Sequence, residues 1–272
     1  MSMNKSLKKY TPVLIVILAM VLLYNTVCSQ SDIDPRKTEV WEPVPEVVIP
    51  GGEFSVKPPS DAIVLFDGSG LDEWAASRRN LRNLSGEEAA QLDASLEDAE
   101  WRVHDGMFTV VPRSGNIRTR RNFTDIQLYL EWKTPFEHSR TGQGWGNSGV
   151  FLQGRYEVQI LNSWENPTYV NGQAGSIYKQ YPPLVNASRK PGEWQNYNIL
   201  FTAPRFREDG ELKTPARVTV FHNGVLIQNN VEIQGNTVYR GQPSYDHHGP
   251  APIVLQDHGD EVSFRNIWVR EL

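Results

Sequence analysis

Gly154-Arg155-Tyr156-Glu157-Val158-Gln159-Ile160-Leu161-Asn162 alternates polar and apolar residues with a period of two. On a β-strand alternate side chains share a face. Tyr156, Val158 and Ile160 are therefore expected to point into a core, while Arg155, Glu157 and Gln159 form a polar stripe on the opposite face. A solvated sheet face would give the same alternation. Three long polar residues in a row, flanked by Asn147 and Asn162, favour a ligand site instead.

Outward from this segment the chain keeps a β rhythm. Ile63–Phe66 is a short apolar strand closed by the turn Asp67-Gly68-Ser69-Gly70. Further strands are expected at Ile126–Trp132, over 150–161 with a break at Gly154, at 197–201, 217–222, 224–228, 253–256 and 262–269. Asn223-Gly224 is a strong two-residue hairpin signal between two of them. Residues 85–99 break the rhythm: Ser85 with Glu88 fits a capping box, and Ala89, Ala90, Leu92 and Leu96 supply a helical stripe. No helix-length segments alternate with the strands, which argues against a parallel α/β fold. The expected fold class is all-β, a concanavalin A-like jelly-roll sandwich of two antiparallel sheets with one short helical insertion.

Composition agrees. The chain has 272 residues, 8 Trp and a formal charge of −5. Such a mildly acidic balance has no electrostatic footprint for nucleic acid. Lys5, Lys8 and Lys9 precede an apolar run from Val13 to Leu23, too short for an ordinary membrane span and suited to an export signal. Residues 1–29 are expected to be this signal, 30–60 a Pro-rich tether or strap, and 61–272 the sandwich. Export would place the protein in a bacterial periplasm or outside the cell. Cys28, the single cysteine, rules out an internal disulfide and raises a lipid anchor. The alternatives for membrane attachment are an uncleaved signal anchor and a lipid on Cys28.

Jelly-roll β-glucanases that retain configuration carry Glu, any, Asp, any, any, Glu along one strand. At that spacing this chain has Glu157, Gln159 and Asn162. A retaining glycosidase needs two carboxylates about 5 Å apart, and an amide cannot shuttle the proton. The scaffold suits a sugar but not two-carboxylate hydrolysis. Other candidates surround the stripe. Trp145, on the loop Gly142-Gln143-Gly144-Trp145-Gly146-Asn147, could stack on a sugar ring or pack over the end of the sandwich. Lys179 could hold a substrate oxygen or be an ordinary surface lysine. His258, after Gln256-Asp257, is the best placed of six His as acid or base, or is structural at a strand end. His247-His248 beside Asp246 lacks metal-ligand spacing.

Several motifs resemble, in order, the 3-keto-disaccharide hydrolase domain family over about residues 60–272. They are Leu65-Phe66-Asp67-Gly68 with Trp74, Asn147-Ser148-Gly149-Val150 running into Tyr156-Glu157-Val158-Gln159, and Ala174-Gly175-Ser176-Ile177-Tyr178. Asn186-Ala187 with Lys190-Pro191-Gly192-Glu193-Trp194, His222-Asn223-Gly224, Leu255-Gln256-Asp257-His258-Gly259 and Phe264-Arg265-Asn266-Ile267 follow. The resemblance implies a concanavalin-like jelly roll, export from bacterial cells and action on 3-keto-glycosides. It also implies a chemistry that needs no second carboxylate. A C3 ketone acidifies the C2 proton, a base removes it, the glycosidic oxygen leaves, and water adds to the unsaturated sugar. A divalent metal on the ketone oxygens is an option the family leaves open, and the sequence shows none. Glu157 and His258 are the candidate catalytic residues. Asn147, Arg155, Gln159, Lys179, Trp145 and Gln256 are the candidate substrate contacts. The competing expectation is a non-catalytic lectin-like module, with a coat or adhesion role behind it.

Overall fold

The computed structural model describes residues 33–52, 55–77, 81, 86–136 and 140–272. The expected signal segment lies outside them, as does Ser85 of the expected capping box. Among the described residues no helix is long and apolar enough to cross a membrane.

In chain order the elements are β1 (Glu46–Val47), β2 (Ile63–Phe66), β3 (Trp74–Ser77), α1 (Gly86–Asp93), β4 (Arg102–His104), β5 (Met107–Thr109) and β6 (Asn116–Thr119). Then come β7 (Ile126–Lys133), β8 (Ser148–Leu152), β9 (Tyr156–Ile160), β10 (Val185–Asn186), β11 (Gln195–Thr202), β12 (Arg205–Phe206) and β13 (Leu212–Thr214). The chain ends with β14 (Arg217–His222), β15 (Val225–Glu232), β16 (Val254–Leu255) and β17 (Ser263–Glu271). The fold class is the expected one: an all-β sandwich whose one α-helix among the described residues falls in the predicted insertion.

The larger sheet runs β15-β14-β11-β7-β17-β5-β4, with β2 also paired to β17. The smaller runs β3-β6-β16-β8-β9. Pairing within both is antiparallel. Their inner faces meet in one core, where Trp132, Tyr197, Ile199 and Phe264 face Val150, Tyr156, Val158 and Ile160. Two turns show why the strands fall where they do. Asn223 and Gly224 both have positive φ, 53° and 80°, as a two-residue turn between twisted strands requires. Gln153 and Gly154, at 51° and 63°, turn β8 into β9; the break read at Gly154 is this hairpin.

The described residues fall into two compact units, one within 39–237 with 243–272, the other 33–38 with 238–242. The first carries both sheets. Its Pro-rich lead, from Glu39 onward, is a strap: β1 pairs in parallel with β10, Ser55 Oγ donates to Glu131 Oε1 (2.6 Å), and the Val56 carbonyl accepts from Asn266 Nδ2 and Trp268 Nε1. In the second, Pro35–Thr38 forms a 3-10 turn and Arg240 Nη1 donates to the Ile33 carbonyl (3.4 Å).

Candidate active site

Because β9 alternates, Glu157 and Gln159, with Arg155 in the turn just before the strand, lie on the face of the smaller sheet turned away from the core. They are not solvated: their exposures are 4%, 5% and 1%. Loops cover them. Tyr178 N–H donates to the Glu157 carbonyl (3.2 Å), Gly175 N–H to that of Gln159 (2.9 Å), and Glu157 N–H to Thr237 Oγ1 (3.0 Å). These bonds satisfy the edge of β9 and leave its polar side chains in a covered layer.

Register fixes the neighbours. Glu157 is opposite Phe151, which is opposite Val254 and then Arg118. One step along, Gln159 is opposite Gly149, whose carbonyl accepts from Gln256 N–H (3.1 Å). Gly149 decides the local shape: a Cβ there would stand 2.5 Å from Glu157 Oε1. The missing side chain lets the carboxylate lie over the β8 backbone. Gln159 lies between Glu157 and Gln143. One end of its amide is 3.1 Å from Glu157 Oε1 and 2.8 Å from the Ser148 carbonyl. Both are acceptors, and the Gln143 Oε1 that faces the other end at 3.1 Å is one too, so this amide stands among acceptors on both sides. Gln143 in turn donates to Thr168 Oγ1 (3.0 Å) and the Gly172 carbonyl (2.8 Å). Gln256 adds a buried Oε1 with no hydrogen-bond partner among the described residues. Buried acceptors are seldom left so.

Lys179 is buried, not the surface lysine the sequence allowed; its exposure is 9%. Its φ of +58° is in the left-handed region that side chains seldom adopt, and its N–H donates to the Asn171 carbonyl (2.8 Å). Its Nζ is 5.5 Å from the Tyr169 ring centroid, and Tyr169 and Tyr178 join their hydroxyls at 2.8 Å. The cation is thus fixed beside the residue whose N–H caps Glu157. Strained backbone of this kind gathers at functional sites.

The remaining candidates are more dispersed. Arg155 directs Nη1 to the Gln153 carbonyl and Nη2 to that of Leu81, both at 3.0 Å, which ties the far end of the stripe to the Leu81, Phe151 and Val254 cluster. Asn147 donates from Nδ2 to the Gln143 carbonyl (2.8 Å) and from its N–H to Asp260 (3.0 Å), clamping the Gly-rich loop. Asn162, the third position of the glucanase spacing, accepts from Trp164 N–H at 3.3 Å and so serves its own turn. His258 is exposed, in the bend after β16, and makes no hydrogen bond among the described residues. Its neighbour Asp257 holds that bend, accepting from Gly115 and Gly259 N–H groups. Trp145 lines a separate pocket. Gln143, Gly149, Tyr169, Tyr178 and Thr237 were not among the site residues expected from the sequence. Of these only Gly149 carried a signal, as the glycine two residues from Asn147 in a strand facing Gln159.

A metal finds no cage here. Among the described residues no three His, Cys, Asp or Glu side chains are placed to hold an ion, and Glu157 stands among amides.

Residues 61–270 match the family model described as the 3-keto-alpha-glucoside-1,2-lyase-like domain. A solved structure of a "putative glycosyl hydrolase" from Parabacteroides distasonis is 48% identical, with 87% of this chain and 96% of that one covered and a TM-score of 0.72. A second protein so described from the same organism is 19% identical, covers 78% and 94%, and has a TM-score of 0.53, a likeness of fold. No curated protein matches. The chain belongs to the 3-keto-alpha-glucoside-1,2-lyase-like domain family.

Proposed function

We propose that this member of the family cleaves 3-keto-glycosides at the covered stripe, by eliminating across C2–C1 and then hydrating the product. The observation that carries the reading is a single buried carboxylate among amides, with a buried lysine at its edge, in a family whose description is that of a lyase acting on 3-keto-glucosides. Two-carboxylate hydrolysis would need a second acid near Glu157. Among the described residues the neighbouring positions on the paired strands are Gln159 and Gly149, and the Asn162 side chain serves its own turn.

In this reading Glu157 takes the C2 proton of a sugar lying over Gly149. The C2–H electron pair moves into an enolate on the C3 oxygen, where the Lys179 ammonium and an N–H of the Gln159 amide, released from its resting acceptor, stabilise the charge. The C1–O bond then breaks and the glycosidic oxygen leaves with a proton, leaving a C1=C2 double bond conjugated to the ketone. Water adds its oxygen to C1, and C2 regains a proton. His258, exposed at the rim, shares the proton transfers with the leaving oxygen. Arg155, Asn147 and Gln256 shape the stripe and hold substrate hydroxyls. Export to the periplasm or beyond, with a signal or Cys28 lipid attaching the protein to a membrane, is part of the same proposal.

The test is turnover. Purified protein should cleave a 3-keto-disaccharide and leave the unoxidised disaccharide intact. Equal rates on the two would remove the ketone from the mechanism. Binding of both with cleavage of neither would favour the lectin-like alternative.

A further inference from the structure

Trp145, on the loop beside the stripe, forms part of an open pocket of about 360 Å³ walled also by Phe136, Trp164, Glu165, Lys190 and Pro191. The volume lies at the small end of the range for small-molecule sites. Trp145 and Pro191 are buried and give a firm floor, while Phe136 presents its ring to solvent at 69% exposure. Trp164 is half-buried, and Lys190 Nζ is 5.8 Å from its ring centroid.

A pyranose ring has C–H faces and a rim of hydroxyls. Aromatic faces suit the first, and an exposed carboxylate and ammonium suit the second. Among the described lining residues one Glu and one Lys balance in charge, which suits a neutral sugar. Gln143, two residues before Trp145 on the same loop, contacts Gln159 at 3.1 Å. Two residues span at most about 7 Å of chain, so the pocket neighbours the stripe without sharing its residues.

We infer that this pocket is a second sugar-binding site, holding a neutral, unoxidised pyranose of a glycan by stacking between Phe136 and Trp164 over Trp145. The inference rests on the proposed function only in taking the ligand to be carbohydrate. It is tested by titrating the whole protein with cellotetraose and with maltotetraose, followed by calorimetry and by saturation-transfer NMR. At least one tetramer should bind at one per chain. Phe136→Ala and Trp164→Ala should each weaken it about tenfold or more, the size of a removed aromatic anchor. Phe136 is exposed, so its variant is expected to fold even if Trp164→Ala does not. Glu157→Gln should bind the tetramer as the wild type does. Failure of the wild type to bind either tetramer would overturn the inference. So would binding lost in Glu157→Gln but kept in Phe136→Ala, which places the sugar on the stripe and leaves the proposed function standing. Tetramer binding lost in Phe136→Ala, from a protein that cleaves no 3-keto-disaccharide, would support the pocket and defeat the proposed function.

Discussion

Glu157 lies over Gly149, and the carboxylate and this neighbour can be perturbed separately. Removing a positioned general base costs about 10²–10⁴-fold in rate. Glu157→Gln should lose that much turnover while folding normally, because the side chain faces away from the core and is replaced by an isostere. Wild-type rates in this variant, measured on a 3-keto-disaccharide, would take Glu157 out of the chemistry. Gly149→Ala probes the same carboxylate without touching it. The new Cβ would stand 2.5 Å from Oε1, so the carboxylate must shift, and misplacement of a reacting group by about 1 Å can cost about 100-fold. Turnover should fall by about 10–100-fold with little change in melting temperature; an unchanged kcat would show that the observed carboxylate position is not the working one. At this scale the sequence was partly legible. Alternation predicted which side chains of β9 share a face, because a strand's period is geometric. It could not predict that loops from 169–181 and Thr237 cover that face, since loop placement has no period. For the same reason Trp145, expected as a substrate contact, lines a separate pocket, although Gln143, two residues before it, touches Gln159.

Among the elements, the hairpins and central strands were readable because their signals are local: Asn223-Gly224 needs positive φ twice, and β7 alternates cleanly. The short strands β3 to β6 were not expected individually, since three or four residues give too little pattern. The strap could be read as a tether or as a packed segment. The packing depends on Glu131, a buried carboxylate on β7. Burial pushes its pKa up, but hydrogen bonds from Ser55, Asn266 and Arg265 outweigh it and hold the group below the ordinary glutamate value. Ser55→Ala removes one bond to this charge and should destabilise the protein by about 1–2 kcal/mol, seen as a lower denaturant midpoint and faster proteolysis near residue 55. An unchanged midpoint would mean that the strap contributes nothing to stability.

For the whole molecule the clearest expectation is acid sensitivity. His222 is buried between Trp132 and Tyr197, its Nε2 paired with Gln195 Oε1 at 2.8 Å. Burial pushes its pKa down from 6.5 to about 3, and burial likewise pushes that of His248 to about 4. Both are neutral in the folded protein, while in the unfolded chain they take up protons below about pH 6.5. Folding therefore gains nothing from them above that pH. Below it, stability is lost progressively down to the folded-state values, at up to about 1.4 kcal/mol per pH unit for His222 alone. Denaturant midpoints should be flat from pH 7 to 8 and fall from pH 6 to 4, and His222→Gln should flatten that fall. A midpoint that rises on acidification would contradict the assignment. The Glu131 carboxylate adds loss of the same sign at lower pH.

The central claim is that bond cleavage passes through loss and return of the C2 proton at Glu157. Running the reaction on a 3-keto-disaccharide in D₂O and reading the released 3-keto sugar by NMR tests it directly. Elimination followed by hydration predicts solvent deuterium at C2 of the released sugar from the wild-type protein. Glu157→Gln should give little product. Product that keeps protium at C2 would contradict the account, because direct displacement at C1 leaves that bond intact.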